Sequence, residues 1–216
     1  MSRVKINCDG KIYIQNAPPR KVLKICGRHL ALNDKLANPA PLGLMGFGMT
    51  TVLLNLHNAG LIGDASIGMI FSMGIFYGGI AQILAGMWEM QRGNTFGATA
   101  FSSFGLFWVS LVALKLFPVL GWVEEPSGIV MAAYLSIWAM FTALMTVSTL
   151  KANRALQVVF ITLTLLFFLL AIADALDNTT LKTIAGYEGI FCGFSAVYLA
   201  TAEVTNETYG KIILPT

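Results

Sequence analysis

Phe47, Thr51, Asn55 and Asn58 stand at i, i+4, i+8 and i+11, a spacing that puts them on one helical face, with Thr50 beside it. Hydroxyls and amides within an apolar run are costly in hydrocarbon unless something hydrogen-bonds them. A single Thr can bond its own backbone and glue helices together, whereas a whole stripe points to the lining of a polar pathway. Gln82, Thr99, Ser103, Gln157, Thr162 and Ser195 add further neutral polar groups in later apolar runs. His57 falls off the stripe. The only cation well inside an apolar run is Lys115, close enough to an end to snorkel outward. Glu89 and Glu203 near one set of ends, and Asp174 and Glu188 near the other, read as interfacial residues. This inventory can hydrogen-bond a small solute, but it holds no charge relay at mid-depth.

Nothing in the chain pairs a nucleophile with a base, clusters metal ligands, or sets a glycine-rich phosphate loop between a strand and a helix. The expectation is a protein that is not an enzyme and takes no cofactor. Cys8, Cys26 and Cys192 are too scattered for a disulfide framework, and Cys26 with His29 and Cys8 would supply only three metal ligands.

The elements that must position the stripe are apolar runs at about 42–62, 67–88, 96–117, 129–149, 155–173 and 183–202. They are separated by punctuation such as Asn58, Gly60, Gly93-Asn94, Pro118, Pro126 and Asp177-Asn178. The 216 residues are 56% hydrophobic and 12% charged, about half the charged share of a soluble domain. The excess apolar surface must face lipid. The reading is an all-α polytopic membrane protein of six transmembrane helices: a basic tail over 1–36, a helical domain over 37–206 and a short tail over 207–216. Gly68, Gly74, Gly78, Gly79 and Gly86 in the second run read mainly as packing residues that let helices approach closely.

Eight of the fourteen Lys and Arg fall in the first 36 residues, where Val22, Leu23, Ile25 and Leu30 could form a weak amphipathic turn or part of a disordered leader. With that tail inside, the cytoplasmic side also takes Arg92, Lys151, Arg154 and Lys211, leaving Lys115 and Lys182 outside. Both termini are expected in the cytoplasm, with the protein in the inner (plasma) membrane. The net charge of +3 is read as a topology signal beside anionic headgroups, not as a nucleic-acid surface.

The run Asn38-Pro39-Ala40-Pro41-Leu42-Gly43-Leu44 closely resembles the signature of the acetate uptake transporter family, whose bacterial members are succinate/acetate permeases. The likeness continues through GFGMTTVLLNLHNAG (46–60), MGIFYGGIAQILAG (73–86), GNTFGATAFSS (93–103), TLKANRALQ (149–157) and CGFSAVYLATAEVTNE (192–207), and covers about 34–214. The tail before Asp34 looks unlike the usual short leader and inherits nothing. The resemblance implies six-helix protomers assembled as a homo-hexamer, each with its own pathway narrowed by Phe47, Phe104 and Leu163. Relatives often carry Tyr at the position of Phe104. Ala196 matches a position that resembles a selectivity determinant, and Glu188 replaces an expected apolar residue. Asn38 has two readings, a cap for the first helix and part of a docking point for a carboxylate at the helix N-terminus.

These readings converge on transport of small carboxylates, acetate and succinate, with Thr50, Thr51, Asn55 and Gln82 hydrogen-bonding the substrate. Carboxylic acids are almost wholly ionised at neutral pH, and moving one charge against 100 mV costs about 2.3 kcal/mol. Either a proton accompanies the substrate, as in symport, or the pathway acts as an anion channel. The alternatives are a pore for neutral small solutes and a membrane structural or sensing subunit.

Overall fold

The computed structural model describes Val4–Ile6, Ile12–Ile14 and residues 36–216. Val4–Ile6 and Ile12–Ile14 pair as a short antiparallel ribbon, with Val4 opposite Ile14 and Ile6 opposite Ile12. It belongs to a leading unit that ends at Asn38, separate from a helical unit beginning at Pro39. The amphipathic turn at Val22–Leu30 and the Cys8, Cys26 and His29 set lie outside the described residues.

The helical unit holds α1 (Ala40–Asn58), α2 (Asp64–Gln91), α3 (Thr95–Val119), α4 (Gly128–Thr149), α5 (Arg154–Ala175) and α6 (Thr179–Tyr209). Short turns make successive helices run up and down, so the unit has two ends. The tail end gathers the start of α1 and the end of α6; the far end gathers the α1–α2, α3–α4 and α5–α6 turns. Five helices, α2 to α6, are long and apolar enough to cross a membrane. At 19 residues α1 is about 28 Å long, close to the hydrocarbon thickness. It falls short on apolarity because it carries the polar stripe, and those side chains are buried: Thr50 is 0%, Thr51 2% and Asn55 1% exposed.

Local chemistry sets the boundaries. Asn94, Asn153 and Asn178 each accept a backbone N–H two or three residues into the helix that follows, at 2.8–3.1 Å, and Ser127 does the same for α4. The first run stops at Asn58 instead of reaching 62, because Gly60 takes φ +73° and turns the chain. At the other end of the unit α6 outlasts its apolar core and stops at Tyr209, capped by Gly210 at φ +63°. The terminal segment then folds back: the Asn206 amide donates to the Leu214 carbonyl and accepts from the Ile213 and Leu214 N–H groups.

Within α2, Gly74–Ala81 is wound as a π-helix. Such turns cluster at functional sites and reset the phase of the helix, here immediately before Gln82. The principal packing pairs are α1 with α6, α4 with α5, α5 with α6, and α2 with α3. Where α1 crosses α6 the backbones nearly touch: a Cβ on Gly48 would meet the Gly193 carbonyl oxygen at 2.7 Å, and one on Gly193 the Gly48 oxygen at 2.8 Å. Small residues permit this in a bilayer, where dispersion has to hold helices together. Outward-facing Ile129, Ile137, Met140 and Leu144 on α4, and Phe191 and Phe194 on α6, are exposed, as a lipid-facing surface requires.

Candidate functional site: two cavities and an aromatic septum

Two of the cavities in the helical unit lie on either side of an aromatic cluster. The tail-end cavity, about 130 Å³, is lined by Leu44 and Phe47 from α1, Gln82 from α2, Phe104 from α3, Leu163 from α5 and Glu203 from α6, among others. The far-end cavity, about 250 Å³, is lined by Asn58, Phe107, Trp108, Lys115, Asp174 and Lys182 among others. Phe104 lines the first and Phe107 the second, three residues apart on α3 and so about 4.5 Å along its axis.

Between them stands a septum of aromatic rings. The Phe104 centroid lies 6.0 Å from Phe47, 6.0 Å from Phe160 and 5.5 Å from Phe141. Phe107 lies 5.2 Å from Trp138 and 5.0 Å, edge-on, from Phe167. Trp138 links the two halves, since it is also 6.3 Å from Phe104. Phe47, Phe104 and Leu163 are each at most 4% exposed. A hydrated ion loses its water at such a layer and gets nothing charged in return.

Thr50 Oγ1, Thr51 Oγ1, Gln82 Oε1 and Trp108 Nε1 are buried and have no hydrogen-bond partner among the described residues. Thr50 and Trp108 both pack on the π-helix: a Cβ placed on Gly78 would lie 2.9 Å from Trp108 Cγ and 3.0 Å from Thr50 Oγ1. Gln82 faces the tail-end cavity and Trp108 the far-end one. Buried polar groups need hydrogen-bond partners, so these atoms are candidates to bond a passing solute or water.

The stripe on α1 therefore divides. Phe47 faces the tail-end cavity and Asn58 the far-end one. Thr50 packs on Gly78 of α2 and lines neither cavity. Asn55 packs against Gly189 of α6, where any Cβ would collide with its amide, donates to the Thr51 carbonyl at 2.9 Å and accepts from the Asn58 amide at 3.1 Å. It is partnered, and neither it nor Thr51 lines a cavity. Ala196 is fully buried and lines neither cavity. Asn38 closes the leading unit, and the N-cap of α1 is Pro39, which has no side-chain oxygen to offer.

Sequence reasoning missed Glu203 and Asn94 in the tail-end lining and Trp108 in the far-end lining. Asn94 caps α3, Trp108 lies within α3 and Glu203 is on α6, so no single helical spacing joins them. Glu89, expected at an interface, is 2% exposed, stands 4.0 Å from the Arg92 guanidinium and packs against Gly97. Glu188 is half-buried, with both carboxylate oxygens out of solvent and unpartnered among the described residues.

Comparison with known proteins agrees with this architecture. The chain is 56% identical over 183 residues to the succinate-acetate/proton symporter SatP of Escherichia coli K12, covering 85% of this chain and 96% of that one. It is 36% identical over 186 residues to ammonia transport outward protein 2 of Saccharomyces cerevisiae, covering 83% of this chain and 66% of that one. A solved structure described as the bacterial acetate channel SatP superposes with a TM-score of 0.82 at 55% identity, covering 84% of this chain and 99% of the other. The family pattern covers residues 26–216, so it begins before the expected 34 and takes in part of the tail read as inheriting nothing. This chain is a member of the GPR1/FUN34/yaaH family.

Proposed function

We propose that this chain is a multi-pass membrane transporter that passes small carboxylates, acetate and succinate, from one cavity to the other across the aromatic septum, accompanied by protons. The observation that carries the reading is the pair of cavities separated by an aromatic layer, with the unpartnered polar atoms of Gln82, Thr50 and Trp108 buried in the same helical unit. Those atoms include an indole donor, a hydroxyl and an amide oxygen acceptor, which suits a protonated carboxyl that both donates and accepts.

The apolar layer favours proton company over a bare anion. Among the described residues Glu203 is the one charged residue lining the tail-end cavity. A carboxylate would have to shed its water at the apolar layer beyond, a penalty that the neutral acid avoids. The similar Escherichia coli protein is described as a proton symporter, in keeping with this reading. The yeast relative's description as an ammonia transport protein fits a septum that passes neutral species. On this account α1 is the sixth span, both termini face the cytoplasm in the plasma membrane, and the exposed apolar faces are covered by lipid and by neighbouring copies in a homo-hexamer.

Uptake of radiolabelled acetate by proteoliposomes, beyond that of protein-free liposomes, tests the substrate class. Propionate and succinate are expected to compete. Uptake that neutral solutes of the same size suppress equally, or no uptake at all, overturns the reading.

A further inference from the structure

The far-end cavity has a chemistry opposite to that of the tail-end one. Lys115, near the end of α3, and Lys182, in the first turn of α6, both line it, with Asp174 as the one acid among the lining residues. Asn58 adds an amide. Two cations, one acid and an amide in the lining of one cavity of about 250 Å³ leave it donor-rich and of net positive charge.

Neither lysine is locked. Lys182 Nζ donates to Asp174 Oδ1 at 3.0 Å, and Lys182 is 46% exposed. Lys115 Nζ stands 3.5 Å from Glu125 Oε1, whose side chain is 73% exposed and does not line the cavity. The Lys115–Glu125 pair, exposed on both sides, is held weakly. Asp174 is only 16% exposed and keeps its partner, but the three N–H donors of the Lys182 ammonium leave room for a second carboxylate beside it.

We propose that Lys115 and Lys182, with Asn58, form a carboxylate-binding site in the far-end cavity, in which Lys182 holds a substrate carboxylate alongside Asp174. The site rests on the carboxylate reading above and adds to it a capture step: the ionised substrate is collected among cations before it meets the septum. Collection matters because the anion predominates at neutral pH even where the neutral acid crosses. The pair Lys182–Asp174 also ties the end of α5 to the start of α6, and the test has to separate that structural role from binding.

The test is the concentration dependence of acetate uptake by the full-length protein in proteoliposomes inserted with the far end outward. K115M/K182M should raise the half-saturating concentration about tenfold, the loss expected for charge-assisted hydrogen bonds. K115R/K182R should recover most of it, and K211Q, with one charge removed at the tail end, serves as the control. D174N should lower the half-saturating concentration, because it removes the negative charge beside the bound carboxylate. Added salt should raise it in the parent and barely move it in K115M/K182M. An unchanged half-saturation in the double methionine variant overturns the site, as does D174N behaving like K182M, which would mark the pair as a structural clamp. Either result leaves parent uptake intact, so it is distinct from a parent that fails to take up acetate, which would sink the carboxylate reading itself.

Discussion

Gln82 is the polar side chain that the tail-end cavity presents closest to the π-helix, and its Oε1 has no partner among the described residues. Gln82→Leu removes that acceptor at nearly constant volume, so acetate uptake should fall about tenfold, with the fold retained on size exclusion; unaltered uptake would detach Gln82 from the pathway. Phe47 works by bulk. Phe47→Ala opens the septum beside Phe104, and the expected outcome is stronger competition by longer carboxylates such as butyrate, measured in the same assay. An unchanged competition series counts against a constriction at this ring. Phe47, Phe104, Leu163 and Gln82 were singled out from the sequence and line one cavity here. Asn55 and Thr51 were read with them, yet they turn toward α6 or remain enclosed. Periodicity identifies a face of a helix but not what covers it, and α1 is packed by α6, α2 and α3 at once. Glu203 and Trp108 were illegible as lining residues because only tertiary packing brings them to the cavities.

At the scale of elements, composition and punctuation were enough to place six helices, and asparagine or serine caps explain why four of them begin where they do. The ends were less legible: Gly60 stops α1 early, while Gly210 lets α6 run on to Tyr209. The π-helix over Gly74–Ala81 had no signature beyond its glycines, which serve α-helical packing equally well. Backbone contact between α1 and α6 holds the stripe-bearing helix in place. Gly193→Val should therefore destabilise the protein by about 1–3 kcal/mol, the usual range for overpacking, and lower its melting temperature in detergent. Gly68→Ala faces open space and should leave the melting temperature unchanged. Equal losses for the two variants would contradict the crossing as described.

The helical unit is a bundle with two unlike mouths: among the described residues one is lined by a single charged residue, Glu203, the other by two lysines and an aspartate. That asymmetry was half visible in the sequence. The bias of Lys and Arg left Lys115 and Lys182 on one side, where they read as topology markers, and only the fold shows them sharing a cavity. The apolar septum between the mouths admits neutral species far more readily than ions, which makes proton company the central claim. The direct measurement is acetate uptake into proteoliposomes with a pH gradient and a potassium–valinomycin voltage imposed separately, corrected for protein-free liposomes. The account predicts that protein-dependent uptake is driven by an inward proton gradient and is indifferent to voltage. Uptake that follows the voltage and ignores the pH gradient would contradict it.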